Sequence, residues 1–125
     1  MNDLMTLRPA RESDMPFIMD TWLKTLRVCN SLFKEIDKEA YYSNYPKIVH
    51  NLVHNCITTV CCLREDDDVI LGYSCVSPTT LHWVFVKKQW RGNGIMKLLV
   101  NDDIQFISHI TKNFKKQHRS YNPFL

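Results

Sequence analysis

The chain has 125 residues, of which 45% are hydrophobic and 23% charged, and its formal net charge is +3. This length fits a single domain spanning residues 1–125, and the composition excludes an intrinsically disordered chain. The five cysteines are an odd number with no signal sequence before them, so we expect free thiols and a cytoplasmic location. No apolar run approaches the ~20 residues that a membrane-spanning helix needs, so we expect no membrane association.

Residues 4–8 have the apolar pattern of a short strand, which Pro9 should end because proline has no amide hydrogen to donate. A helix is expected next, with Ser13 or Asp14 as its N-terminal cap. Its buried face is predicted from apolar residues at a helical spacing, which are Met15, Ile18, Trp22 and Leu26.

The periodicity weakens over residues 30–44, which favours broken helix and loop. Pro46 is then expected to open a second helix that runs to His54, because proline is tolerated in the first turn of a helix. The apolar side of this helix consists of Ile48, Val49, Leu52 and Val53.

Three consecutive strands are predicted at residues 56–64, 69–77 and 81–86, where β-branched and apolar residues are concentrated. The acidic run at 65–68 and the segment 78–80 separate these strands as turns. The central sheet is therefore predicted to be an antiparallel meander.

After the third of these strands, Gly92 and Gly94 interrupt the pattern, and a short helix is expected to begin at Ile95. Apolar residues within 104–110 predict another strand, and 121–125 are expected to add a last short one after a basic segment. This succession of strand, turn, helix and strand is the main indication of function.

The turn itself has the sequence Gln89-Trp90-Arg91-Gly92-Asn93-Gly94. Amides at the start of a helix lack partners and favour an anion, and glycines let the main chain approach a phosphate closely. The string of a P-loop is absent, and Lys97 stands where the dinucleotide fingerprint requires a third glycine. We therefore expect a phosphate-binding loop of another kind.

The pattern Gln89-x-x-Gly92-x-Gly94 resembles the Gln/Arg-x-x-Gly-x-Gly/Ala motif of the GNAT superfamily of N-acyltransferases, and the order of elements over residues 4–110 is similar to theirs. The resemblance implies an α/β (α+β) GNAT-like acyl-CoA N-acyltransferase fold. Its central sheet should be mixed, mostly antiparallel and flanked by helices. The residues from Thr111 are too few for the family's usual ending, so we expect a C-terminally truncated form.

Short GNAT-like proteins encoded by phages and prophages are similar in two further respects. They carry a strand like that of residues 81–88 and an ending like that of residues 121–124. The resemblance therefore indicates a short, phage-like member of the superfamily.

The resemblance implies acetyl-CoA, or another acyl-CoA, as cofactor, and transfer of its acyl group to a primary amine by direct attack on the thioester. In this family the strand before the motif bulges and separates from the next strand, so that its main chain binds the pantetheine arm. The cofactor-binding residues implied are Val84, Phe85, Val86, Gln89, Trp90, Arg91, Gly92, Asn93, Gly94, Ile95 and Asn113.

The catalytic residues of the family have less clear equivalents in this sequence than its cofactor-binding loop has. His82 is the candidate base, because its ordinary pKa lies near neutrality, and Tyr121 is the candidate acid. A hydrogen-bonded sheet histidine and a tyrosine of the final strand are the alternative interpretations. The candidate acceptor-binding residues, for which core packing is the alternative, are Arg27, Asn30, Ser31, Phe33, Tyr41 and Tyr42.

We expect no metal site, because His50 and His54 lack further ligands at suitable spacing and no Cys-x-x-Cys pair is present.

The other class of function left open is a catalytically inactive GNAT-like CoA-binding or macromolecule-binding module. The basic C-terminal segment suits phosphate contacts but lacks a stacking motif, so nucleic acid is disfavoured as a partner. The expected partner is an amine acceptor of unidentified structure, and a homodimer is compatible with the composition.

Overall fold

The computed structural model describes residues 3–100 and 103–108 and the backbone of residues 120–121. The strands are β1 (Met5–Pro9), β2 (Ile57–Leu63), β3 (Ile70–Val76), β4 (Thr80–Val86), β5 (Phe106–Ile107) and β6 (Ser120–Tyr121). The helices are α1 (Met15–Cys29), α2 (Ser31–Glu35), α3 (Lys38–Asn55) and α4 (Ile95–Leu99). The strands lie in sequence order in one sheet.

The sheet is mixed and mostly antiparallel, as predicted. The pairs β1–β2, β2–β3 and β3–β4 are antiparallel, whereas the pairs β4–β5 and β5–β6 are parallel. All five cysteines are free thiols, and three of them are buried. In the described residues, no helix combines the length and apolar character needed to cross a bilayer.

Two hydrophobic clusters pack against the sheet. The first joins α1 and α3 to the sheet, and Trp22 stacks on Trp83 within it with ring centroids 5.6 Å apart. The second includes Ile95 and Leu99 of α4 together with Leu81 of β4. Helix α4, which follows the glycine-containing turn, is therefore anchored to the sheet by its own apolar side chains.

Helix α3 begins at Lys38, so the prediction that Pro46 opens it was wrong. The Asp37 carboxylate accepts a hydrogen bond from the Ala40 amide at 3.1 Å, which caps the helix one turn before the tyrosines. Pro46 lies inside the helix, where it leaves the carbonyl of Tyr42 without its usual donor. Tyr42 is exposed, so water can take the place of that donor.

Asp14 stands at the N-cap of α1 as expected, but its carboxylate does not cap the helix. Instead it accepts two hydrogen bonds from the Arg8 guanidinium, at 2.7 and 2.9 Å, and one from the Arg11 amide at 2.7 Å. The Arg8 and Asp14 side chains are 10% and 5% exposed, so the pair is largely screened from water. It fastens β1 to the start of α1.

Because of the ion pair between Arg8 and Asp14, we expect the free energy of unfolding to fall in acid. The hydrogen bonds from Arg8 hold the pKa of Asp14 below its usual value. The Asp14 carboxylate therefore stabilises the protein fully at a pH above the usual pKa of an aspartate, and this stabilisation is lost as the pH falls through the lower pKa of the folded state. Asp14→Asn should lower the free energy of unfolding by about 3 kcal/mol at pH 7, because Arg8 loses its buried partner. Urea unfolding at several pH values measures both effects.

The matched control is Asp20→Asn, which breaks an exposed pair with Lys24 on the surface of α1. Exposed pairs of this kind contribute little to stability. If both variants lose equal stability, or if Asp14→Asn keeps the full acid dependence, the role given to Asp14 is wrong.

Candidate cofactor and acyl-transfer site

Strand β4 contains a bulge at His82. Cys75 of β3 pairs with Trp83, whereas the next residue, Val76, pairs with Leu81. Leu81 faces the cluster around α4, and Trp83, two residues later, faces the opposite cluster. His82 is thus the additional residue that reverses the alternation of side chains along β4.

Strands β4 and β5 part shortly after they begin. Their pairing covers Thr80 with Phe106 and Leu81 with Ile107, and the Ser108 amide donates to the Leu81 carbonyl at 3.0 Å. Within the part of the chain that the structure describes, residues 82–86 of β4 pair only with β3. Among the described residues, the side of β4 that faces away from β3 is therefore an open edge beyond Leu81.

Two residues present their main chain on this open edge. The Lys87 amide donates to the Leu71 carbonyl at 2.8 Å, so the backbone polar groups of Lys87 point toward β3. Because this direction alternates along a strand, the backbone polar groups of Phe85 also point toward β3, whereas those of Val84 and Val86 point away from it. The main chain of Phe85 is therefore engaged with the sheet, and its ring packs on Phe17.

The segment after β4 makes a 3-10 turn at Lys88–Trp90 and then the glycine-containing loop. Gly92 and Gly94 have φ values of +87° and +79°, in the left-handed region that favours glycine. The Arg91 Nε donates to the Val86 carbonyl at 3.1 Å, and the Asn93 amide group donates to the Trp90 carbonyl at 3.0 Å. These two side chains hold the loop against the end of β4.

The loop and the start of α4 present a row of available amides. Among the described residues, the amides of 92–97 donate to no backbone carbonyl, and the first such bond is from Leu98 to Gly94 at 3.3 Å. A Cβ atom added at Gly92 or Gly94 would meet no protein atom within 4 Å. Since α4 has only five residues, these amides rather than a helix dipole would bind an anion.

Four cationic side chains belong to the segments that carry this row of amides. Lys87, Lys88 and Arg91 lie in or beside the turn, and Lys97 lies on α4. The Lys87 ammonium lies 5.2 Å from the centre of the Phe17 ring, which keeps this charge near the end of β4. Amides and cations together suit a phosphorylated ligand, and the residues present fit the pyrophosphate of an acyl-CoA.

His82 is 2% exposed and bonded at both ring nitrogens. Its Nε2 lies 2.6 Å from the Ser77 Oγ, and its Nδ1 lies 2.7 Å from the Ser108 Oγ. Burial lowers the pKa of His82, so the ring is neutral at neutral pH. The sequence offers no signal for these serine partners, which stand 5 and 26 residues away from the histidine.

The candidate acceptor residues form an aromatic group at the junction of α1, α2 and α3. The Phe33 and Tyr41 rings are 5.9 Å apart, and the Tyr41 hydroxyl donates to the Leu23 carbonyl at 2.5 Å. The Arg27 guanidinium lies 5.4 Å from the centre of the Tyr41 ring. Tyr42 packs edge-on against Tyr41 at 4.9 Å and is itself exposed. The group combines core packing with an exposed rim.

Asn30 and Ser31 have different positions in this region. Asn30 is the N-cap of α2, and its Oδ1 accepts hydrogen bonds from the Leu32 and Phe33 amides at 3.0 and 3.4 Å. Ser31 is the first residue of α2. The Asn30 side chain therefore has a structural task that is independent of any acceptor.

The structure does not describe the side chains of two predicted site residues. Asn113 is outside the described residues, and Tyr121 is described only in its backbone, which pairs with Ile107 as part of β6. The alternative interpretation of Tyr121 as a residue of the last strand therefore holds for its backbone. Its role as an acid stays a prediction.

Gly72 was not singled out in the sequence, although it supports the loop. A Cβ atom there would lie 2.6 Å from the Phe85 carbonyl oxygen and 3.4 Å from Cγ2 of Ile95. Only glycine lets β4 and the first residue of α4 approach β3 this closely. A lone glycine inside a predicted strand is the signal that indicates such an approach.

Comparison with known proteins identifies the fold. No protein-family model matches the chain, and no curated protein sequence matches it significantly. Among solved structures, it is similar to apo YjaB from Escherichia coli, with a TM-score of 0.55 and 16% identity over 77% of this chain and 61% of that one. It is also similar to a possible acetyltransferase from Clostridium difficile 630, with a TM-score of 0.54 and 18% identity over 76% and 65% of the two chains.

A third similar structure is an acetyltransferase of the GNAT family from Staphylococcus aureus Mu50, with a TM-score of 0.52 and 17% identity over 76% and 60% of the two chains. The chain thus has the fold of GNAT acetyltransferases, which confirms the fold expected from the sequence. It spans less than two thirds of the length of each of these three structures.

Proposed function

We propose that this protein is an N-acyltransferase that transfers the acyl group of an acyl-CoA, with acetyl-CoA as the expected donor, to a primary amine by direct attack on the thioester. The observation that carries this proposal is the open edge of β4 next to the row of available amides at residues 92–97. The fold shared with a GNAT-family acetyltransferase and with a possible acetyltransferase supports the same conclusion.

Two parts of the cofactor, the pyrophosphate and the pantetheine arm, have candidate binding groups in the chain. The amides of the Gly92 to Gly94 loop would hold the pyrophosphate, with the neighbouring cations balancing its charge. The main-chain groups of Val84 and Val86 would pair with the amides of the pantetheine arm, as a strand pairs with a sheet edge. The bound cofactor supplies an activated thioester. His82 would act as base if its Nε2 exchanged the hydrogen bond with Ser77 for one with the amine, and Tyr121 would act as acid.

Cofactor binding is the first expected result. Titration with acetyl-CoA should give saturable heat and should raise the melting temperature, because a ligand that binds only the native state stabilises it by about 2.7 kcal/mol at one hundred times its Kd. S-acetylcysteamine, which has the thioester but no phosphate, should do neither at the same concentration. No heat and no shift with millimolar acetyl-CoA would contradict the proposal.

Turnover distinguishes the enzyme from an inactive CoA-binding module. Release of free CoA thiol should accelerate in the presence of one class among small amines, amine-bearing peptides and aminated nucleic-acid components. If acetyl-CoA binds but no amine accelerates thiol release, the protein is better described as a binding module.

A further inference from the structure

Three side chains near the start of β4 form a continuous hydrogen-bonded array. The Ser77 Oγ lies 2.6 Å from Nε2 of His82, and Nδ1 of the same ring lies 2.7 Å from the Ser108 Oγ. The Cys56 Sγ lies 3.7 Å from the Ser77 Oγ on the other side. The array brings together the β3–β4 turn, the β4 bulge and the residue that follows β5.

The members of the array differ in their access to solvent. His82 and Ser108 are 2% and 5% exposed, whereas Ser77 is only partly buried. Ser77 is also held in place by its own main chain, which exchanges hydrogen bonds with Thr80 at 2.9 and 3.3 Å. Its hydroxyl is therefore the end of the array that a small molecule can reach.

A hydroxyl bonded to an imidazole, with a third group orienting that imidazole, is the arrangement that activates a nucleophilic serine. We propose that Ser77 is such a nucleophile, with His82 as its base and Ser108 as the group that orients the ring. In this assignment Ser77 donates its hydroxyl proton to Nε2, and Nδ1 donates to Ser108. Burial keeps His82 neutral at neutral pH, in the state that accepts a proton.

The substrates are small, uncharged activated esters. The Ser77 oxygen attacks the carbonyl carbon, its proton passes to Nε2 of His82, and the same proton then leaves with the departing alcohol. This forms the acyl-serine bond and breaks the ester bond, and water completes hydrolysis by the same transfers. Among the described residues, those beside Ser77 include Cys56, Ile57, Val76 and Pro78, which are uncharged, and this favours an uncharged acyl group.

The activity should be slow. Ser108 is neutral and stands where a carboxylate stabilises the charged imidazole in a Ser-His-Asp triad, and loss of that carboxylate's function lowers turnover about 10⁴-fold. A reagent that reacts once and stays attached is therefore a better probe than a substrate that must turn over.

Diisopropyl fluorophosphate is the probe, because it forms a stable serine–phosphorus bond as fluoride leaves. Peptide mapping by mass spectrometry of the full-length protein should find the adduct on Ser77. Ser77→Ala should remove the adduct, and Ser108→Ala should slow labelling about tenfold or more. The control Ser43→Ala, at an exposed serine of α3, should leave it unchanged.

The pH dependence supplies a second readout that needs no variant. Labelling should rise with pH through the pKa of His82, with a midpoint below the ordinary value of about 6.5. Among the described residues, the Cys56 thiol lies beside Ser77 and the Cys75 thiol lies beside Cys56, and burial raises the pKa of Cys75 to about 12, far above this range.

No adduct, an adduct on another residue, or a rate unaffected by Ser108→Ala and by pH across this range would overturn the proposal. The probe contains no CoA, so its result is independent of acyl-CoA binding and of amine acylation.

Discussion

Replacing Gly94 by valine is expected to abolish acetyl-CoA binding while the protein stays folded. Gly94 has φ +79°, and a Cβ atom there would meet no protein atom within 4 Å, so the new side chain would project into the proposed phosphate site without disturbing the core. The strained backbone costs roughly 1–2 kcal/mol of stability. Loss of two charge-assisted hydrogen bonds, at about 1.5 kcal/mol each, weakens binding roughly 100-fold or more.

Two further variants separate the causes of this loss. Gly94→Asn adds a side chain but tolerates a positive φ, so it should also weaken binding if obstruction rather than strain is responsible. Arg91→Ala should weaken binding less, because it removes one exposed charge and one hydrogen bond from the loop to the Val86 carbonyl, whereas the backbone amides are still present. Calorimetry measures binding, and circular dichroism checks the fold. If Gly94→Val is folded and binds acetyl-CoA as tightly as the parent, the phosphate site lies elsewhere.

The second large effect is expected from Gly72→Val, which should destabilise the whole protein. The Cβ atom alone would lie 2.6 Å from the Phe85 carbonyl oxygen and 3.3 Å from the Val86 Cα, both of which belong to the backbone of β4 and cannot turn aside. Overpacking of this kind costs about 1–3 kcal/mol, and the two added methyl groups place the effect at the upper end. The melting temperature should fall by roughly 10 °C or more.

Gly92→Val is the matched control, because a Cβ atom there also meets no protein atom within 4 Å and only its positive φ opposes the change. Thermal melting followed by circular dichroism compares the two variants. Equal losses at both positions would show that backbone strain rather than the contact between β3 and β4 explains the effect at Gly72.

Local patterns in the sequence were sufficient for much of the fold. The meander of β2, β3 and β4 was predicted because turn residues bound each β-branched run, and the glycine-containing turn was recognised because a strand leads directly into it. Helix α4 was predicted to begin at Ile95, where the structure has it. These features depend on neighbouring residues, which the sequence displays.

Features that depend on distant residues were not predicted. The start of α3 was misplaced because Pro46 is common in a first turn, whereas the cap at Asp37 and the packing of Tyr41 on α1 carry the helix past the proline. The hydrogen bonds of His82 join serines on two other segments, so no local pattern announces them. The pairing of β4 with β3 decides whether the backbone of Val84 or that of Phe85 faces the open edge, and this pairing is not visible in the local sequence.

The stacked indoles in the core have a consequence for optical measurements. Trp22 and Trp83 lie almost parallel, at 8°, within the first hydrophobic cluster, whereas Trp90 is partly buried beside the glycine-containing loop. The chain has three tryptophans and five tyrosines, and the contribution of the stacked pair to near-ultraviolet circular dichroism should be lost when α1 separates from β4. Emission quenched by small solutes, in contrast, reports mainly on Trp90. One sample can therefore yield separate signals for the integrity of the core and for the state of the loop.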